Sequence, residues 1–303
     1  MARLTRSTTL IASLLLVAAS FTAVAAANTV ESSDRDSPLD AKAPRSRKGR
    51  IVGGRKVDDY DEDTGVHFIA KLFLPDANGF YCSGSVISKS GHVLTRAGCE
   101  PRVGDVVRLG GARLYDGVQA WVSKVSIHHQ YDPAGDVADV AVLKIQGVNE
   151  RELRRAGIVP VFLNRVWDNP HGMYFTGYGA TDAAAQSAGS LTLKRAYLPV
   201  APWWNCRRIT DTILVPGLPG RGLPISPAAQ VCLRGGRGAG ALCERDAGGP
   251  MYRVDSNNGV KFYTLYAVSS YWVGLGPGNR CPRAMPNVGS KVAFYYNWIM
   301  NQM

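Results

Sequence analysis

Tyr81-Cys82-Ser83-Gly84-Ser85-Val86-Ile87-Ser88-Lys89-Ser90-Gly91-His92-Val93-Leu94-Thr95-Arg96-Ala97-Gly98-Cys99 sets the pattern of the chain. Two short runs rich in β-branched and aromatic residues, Tyr81–Ile87 and Val93–Thr95, flank a polar stretch holding Gly91. Runs of this kind bounded by turn residues read as strands. The alternation continues outward, with Val66–Leu74 before it and Ala120–Ile127, Val137–Ile145, Met173–Thr176, Leu191–Val200 and Phe262–Val268 after it. Gly, Asp, Asn and Pro punctuate these runs and no fixed short repeat recurs, which predicts an all-β barrel or sandwich. One helical pattern stands at the end, where Val292, Tyr296, Ile299 and Met303 would share a face.

The 303 residues suffice for one large or two ordinary domains, and 46% apolar with 19% charged residues excludes a disordered chain. A net charge of +11 raises nucleic acid or an anionic surface as partners. Much of that charge falls in segments expected to be removed. Arg3 and Arg6 precede the apolar stretch Leu10–Ala27, with small residues at Ala23, Ala25 and Ala27, so residues 1–27 read as a signal peptide. Its Ala, Ser and Thr suit cleavage better than anchoring, and no later segment is apolar enough to span. The polar segment 28–50 ends in Arg45-Ser46-Arg47-Lys48-Gly49-Arg50 and abuts Ile51-Val52-Gly53-Gly54, which reads as a propeptide boundary. Residues 1–50 hold 8 Lys+Arg and 4 Asp+Glu, leaving +7 on residues 51–303. A secreted, extracellular chain with no membrane span and no nucleic-acid module is expected. An exported chain oxidises its thiols, but six cysteines allow fifteen pairings. Close Cys or His pairs are absent apart from the adjacent His128-His129, so neither a metal nor a cofactor is expected. The acidic run Asp58, Asp59, Asp61, Glu62 and Asp63 lacks the alternation of a calcium loop.

Several stretches, in order, resemble the chymotrypsin/trypsin family of serine proteases. Ile51-Val52-Gly53-Gly54 is similar to the family's activated N-terminus, and Cys82–Ser88 to its CGGSLIS strand. Leu94–Cys99 stands where LTAAHC is expected, and Asp139–Lys144 resembles DIALLK. Thr176-Gly177-Tyr178-Gly179 resembles TGWG, Cys243–Pro250 resembles CQGDSGGP, and Val292–Ile299 is similar to the closing helix. The resemblance implies two orthogonal six-stranded β-barrels, roughly 51–160 and 161–290, a C-terminal helix over 291–303, and an active cleft between the barrels. It also implies the disulfides Cys82–Cys99, Cys206–Cys232 and Cys243–Cys281, each contributing about 2–5 kcal/mol.

Acyl transfer in that family needs a Ser nucleophile, a His base and an Asp that orients the base. By the same resemblance the Asp position is Asp139, but the His position is Gly98 and the Ser position is Ala247. Losing nucleophile or base costs on the order of 10⁶ in kcat. Arg245 stands where an oxyanion-hole Gly is expected, Ala241 at the base of the specificity pocket, and Trp272 (or Tyr271) and Asn287 at its walls. The activation pair Ile51–Asp246 and the cleavage point Arg50–Ile51 are kept. The reading is a secreted, catalytically inactive homologue that acts by binding an extracellular protein such as a secreted hydrolase, as an inhibitor or decoy, similar to oomycete glucanase inhibitor proteins. The alternatives are a hydrolase with rearranged chemistry, for which His67, His92, His128, His129 and His171 lie away from Gly98, and a basic homologue binding anionic glycans through Arg151, Arg154, Arg155, Arg207 and Arg208. Trp203, Trp204, Trp272 and the loop Pro216–Pro224 form the expected contact surface.

Overall fold

Fourteen strands carry the fold in the computed structural model, which describes residues 54–57, 65–133, 137–181, 189–206, 225–235, 240–272, 281 and 285–303. The expected leader and propeptide, Ile51, the acidic run, Arg207, Arg208 and the loop 216–224 lie outside the described residues, as does the side chain of Trp272. In chain order the strands are β1 (Arg55–Lys56), β2 (Ile69–Phe73), β3 (Phe80–Ser88), β4 (His92–Thr95), β5 (Val106–Leu109), β6 (Val118–Ile127) and β7 (Ala141–Gln146). There follow β8 (Phe162–Leu163), β9 (Gly172–Gly177), β10 (Lys194–Ala201), β11 (Gln230–Leu233), β12 (Pro250–Asn257), β13 (Val260–Trp272) and β14 (Asn287–Lys291).

Strands β2-β3-β4-β7-β6-β5 close one antiparallel six-stranded barrel. The path β9-β10-β11-β14-β13-β12, joined again where β12 pairs with β9, closes a second. The opening stretch of sequence is the β3–β4 hairpin, with Ser85 opposite Leu94 and Val86 opposite Val93. Gly84 lets these strands approach, because a Cβ there would lie 2.8 Å from Val93 Cγ1. Leu72, Val86, Leu94, Val107, Val122 and Leu143 fill the first barrel, all fully buried. Phe175, Leu198, Leu233, Met251 and Ala267 fill the second. The two cores meet where the Phe68 and Tyr252 rings pack edge to face at 5.2 Å.

Strand β1 opens the segment expected to hold the first barrel but pairs with β10 of the second, Arg55 opposite Arg195. A strand of two residues has no period that could reveal this. The expected helix face is corrected by a rotation. Helix α1 (Glu150–Arg155) joins the barrels, and helix α2 (Val292–Met300) buries Val292, Tyr295 and Ile299, not Tyr296 and Met303. Tyr295 lies edge-on to His128 at 5.2 Å, and Met303 stands beyond the helix end, 39% exposed.

Lys71 on β2 is fully buried, an expensive place for an ammonium unless its protons are taken. Its Nζ donates to the carbonyls of Gly110 and Asp116, both at 2.6 Å, and Arg113 at 3.1 Å. It thereby fixes the loop between β5 and β6. Three disulfides join Cys82 to Cys99, Cys206 to Cys232 and Cys243 to Cys281.

Candidate functional site

Asp139 anchors the junction between the barrels. It precedes β7, is fully buried, and follows Ala138, whose φ is +52°. The Gly98 N–H donates to its Oδ1 at 2.8 Å, and the Ser270 hydroxyl on β13 donates a short hydrogen bond to Oδ2. Ser290 Oγ on β14 donates to the Asp139 carbonyl at 3.1 Å. Gly98 belongs to the first barrel and both serines to the second, so this one residue ties the barrels together.

The remaining charge is met by Arg96, whose Nε stands 2.8 Å from Oδ2 with 13% of its side chain exposed. Its Nη1 donates to the Ser270 carbonyl. Arg96 therefore spans Asp139 and β13, with Nε in an ion pair with the carboxylate and Nη1 on a backbone carbonyl. The guanidinium also fills the space beside Gly98. A Cβ at residue 98 would meet Arg96 Nη2 and lie 2.8 Å from Cζ. Any side chain at residue 98 must displace Arg96.

Ala247 sits at the same junction, 7% exposed, with its carbonyl accepting the Ser83 N–H at 2.9 Å. The next residue, Gly248, has φ +78° and a would-be Cβ against Thr95 Oγ1 and the Ser83 carbonyl, so the turn requires glycine. Arg245, two residues before Ala247, adopts φ +72°, a left-handed conformation that costs a non-glycine residue about 1–3 kcal/mol.

Asp246 between them is fully buried, and burial pushes its carboxyl up to about 7 against the pull of two backbone donors. Those donors are Gly179 N–H at 2.8 Å to Oδ1 and Cys243 N–H at 3.0 Å to Oδ2. Among the described residues no cation pairs with it. Gly177 and Gly179 are glycines because the carboxyl presses on them; a Cβ at Gly179 would lie 2.6 Å from Oδ1. That contact explains the Thr176-Gly177-Tyr178-Gly179 stretch physically.

Ala241 is 2% exposed among Ala180, Cys243 and Cys281. Asn287 is 1% exposed, and its Oδ1 accepts the Leu242 N–H at 3.0 Å, so it ties β14 to the segment carrying Ala241. The β13–β14 register sets Trp272 opposite Asn287 and Tyr271 opposite Val288, and Tyr271 is buried. Sequence reading missed Arg96 and Ser270. The signal for Arg96 was local, a long cation two residues before a glycine in a buried stretch; Ser270 lies 131 residues from Asp139 and gave none.

The other histidines do not approach this junction through any described contact with Asp139. Ser88 Oγ does lie 2.8 Å from His92 Nδ1, but the same hydroxyl accepts the His92 backbone N–H at 3.1 Å, a bond that closes the β3–β4 turn. Among the described residues no three His, Cys, Asp or Glu side chains are grouped to hold a metal. No described helix is long and apolar enough to cross a membrane.

Residues 51–299 match the Trypsin family model. The chain is 23% identical over 276 residues to the venom peptide isomerase heavy chain of Agelenopsis aperta, covering 84% of this chain and all of that one. Among solved structures it is similar to neuropsin, described as a serine protease expressed in the limbic system of mouse brain. That likeness has a TM-score of 0.60 at 22% identity, over 82% of this chain and 98% of the other.

Proposed function

From the premise that the chain belongs to the trypsin family, we propose that it is an exported, catalytically inactive member that works by binding another extracellular protein. One observation carries the reading. The position matching the family's base is Gly98, and the space a side chain would need there is taken by the Arg96 guanidinium, already bound to Asp139. Ala247, at the position matching the nucleophile, offers a methyl group to chemistry that needs a hydroxyl. Asp139 is retained because it holds the barrels together, a role that needs no catalysis.

Removal of residues 1–27 as a signal peptide and cleavage at Arg50–Ile51 complete the reading. The new Ile51 ammonium supplies the cation that the buried Asp246 carboxyl lacks among the described residues. Trp203 and Trp204, 41% and 53% exposed, support a contact surface on the second barrel for a partner such as a secreted hydrolase.

A restoration series tests the inactivity. The triple variant Gly98→His, Ala247→Ser, Arg245→Gly, cleaved after Arg50, is expected to remain inert towards peptide substrates, because Arg96 excludes the imidazole. Adding Arg96→Ala is expected to produce measurable hydrolysis, though well below the 10⁶-fold gain of a complete triad. Hydrolysis by the unaltered chain, or equal hydrolysis with and without Arg96→Ala, would overturn the reading.

A further inference from the structure

We propose that the outer face of the second barrel carries a binding groove for a neutral pyranose oligosaccharide, centred on residues 167–171 and separate from the cleft. Two hollows of about 330 and 390 Å³ adjoin there, and both are walled by Asn169, Pro170 and His171. Asp168, Tyr174, Tyr197 and Arg253 line the first. Trp167, Trp203 and Gln230 line the second. Each is within the size range of small-ligand sites, and together they make a furrow rather than a single pocket.

The strand register explains why these rings leave the second core. Tyr174 on β9 is opposite Tyr197 on β10, while their neighbours Met173, Phe175 and Leu198 point into that core; Tyr174 is half-buried against Tyr252 and Tyr197 is 45% exposed. The two tyrosine rings lie 5.3 Å apart at 67°, and Arg195 stacks on Tyr174 at 3.7 Å. Gly172 leaves room for Tyr197, since a Cβ there would come within 2.5 Å of the ring's Cζ. The wall is fixed in advance. Trp167 Nε1 donates to Asn169 Oδ1 at 2.8 Å, and Asn169 is held at φ +51°. A site ordered before its ligand arrives loses less on binding.

The lining names the ligand class. A pyranose ring has an apolar C–H face, which packs on flat aromatic side chains, and an edge of hydroxyls that both donate and accept. Trp203 and Tyr197, 41% and 45% exposed, supply the first kind of surface, and Asp168, Asn169, His171 and Arg253 the second. Charge argues for a neutral sugar. Arg253 is already shared between Asp168 at 3.5 Å and Asp255 at 3.3 Å. Lys291, the other cation at the groove, is 9% exposed, donates to the Pro227 carbonyl at 2.6 Å and lies 4.3 Å over the Trp167 ring. No uncompensated cation among these lining residues faces outward to take a sulphate.

The test is a titration of the full secreted protein with cellohexaose, mannohexaose and N-acetylchitohexaose, followed by calorimetry and tryptophan fluorescence, with a heparin hexasaccharide as the anionic arm. At least one neutral hexasaccharide is expected to bind with Kd of about 1 mM or tighter and to change the fluorescence. Cellohexaose stands for free wall-type glucan and mannohexaose for chains carried on glycoproteins, so the sugar that binds identifies the source. Trp203→Ala and Tyr197→Ala remove rings that are 41% and 45% exposed, and each is expected to weaken binding about tenfold or more while circular dichroism shows the fold intact. Absence of neutral binding up to about 10 mM, binding of heparin alone, or binding that survives both substitutions overturns the proposal. None of these outcomes depends on whether the cleft is catalytic.

Discussion

Replacing Arg96 by methionine is expected to cost about 3–5 kcal/mol of stability, the loss that follows when one partner of a buried ion pair is removed. Methionine keeps much of the aliphatic stem but no charge. Asp139 would then remain fully buried with the Gly98 N–H and the Ser270 hydroxyl, and without the guanidinium at 2.8 Å. The Ser270 carbonyl would lose its donor as well. The effect should be conditional on the carboxylate. In Arg96→Met combined with Asp139→Asn, no charge is stranded, and the loss should be at least 1 kcal/mol smaller than the sum of the two single losses. Denaturant midpoints of the four proteins measure this. A sum that is simply additive would mean that Arg96 does not stand in for a lost side chain at all.

The uncleaved precursor is expected to lose up to about 4 kcal/mol of stability as pH rises from about 4 to about 7. The sign follows from Asp246. Its carboxyl is raised from 3.8 in the unfolded chain to about 7 in the folded one, by burial outweighing two backbone hydrogen bonds. Below pH 4 both states hold the proton and nothing is lost. Between those values the unfolded chain ionises while the folded chain keeps its proton, so unfolding gains; above pH 7 both are ionised and the cost is complete. Cleavage at Arg50–Ile51 is expected to reverse the balance, because an ammonium brought beside the carboxylate would favour the charged form. An Arg50→Gln precursor should therefore be less stable at pH 8 than at pH 5, and the form that starts at Ile51 should not be. The same decline in both forms would remove Ile51 from the account.

The fold was legible where side-chain period and burial agree. The β3–β4 hairpin, β7 and the core of β13 appear in the sequence as β-branched runs because their strands are buried across the barrel wall. The misses have specific causes. β1 is two residues long and takes its place from β10, not from its own pattern. The α2 face was misplaced by one residue because Tyr295 and Tyr296 are both apolar enough to serve, and only the packing on His128 decides between them. At the candidate site Asp139, Gly98 and Ala247 were visible because the motifs around them are long. Arg96 is not legible there, because the missing side chain at residue 98 does not itself reveal what fills the space it leaves. The local sign, a long cation two residues before a glycine, does not name its partner, because the contact joins Arg96 to Asp139, 43 positions away.

The central claim is that this trypsin-family chain has no working nucleophile and base. It is tested most directly by exposing the secreted protein that begins at Ile51 to a fluorophosphonate probe, alongside a peptide-substrate library. No covalent adduct and no turnover above buffer are expected. A stoichiometric adduct abolished by one Ser→Ala change would contradict it, with Ser88→Ala the first to make, since Ser88 Oγ lies 2.8 Å from His92 Nδ1.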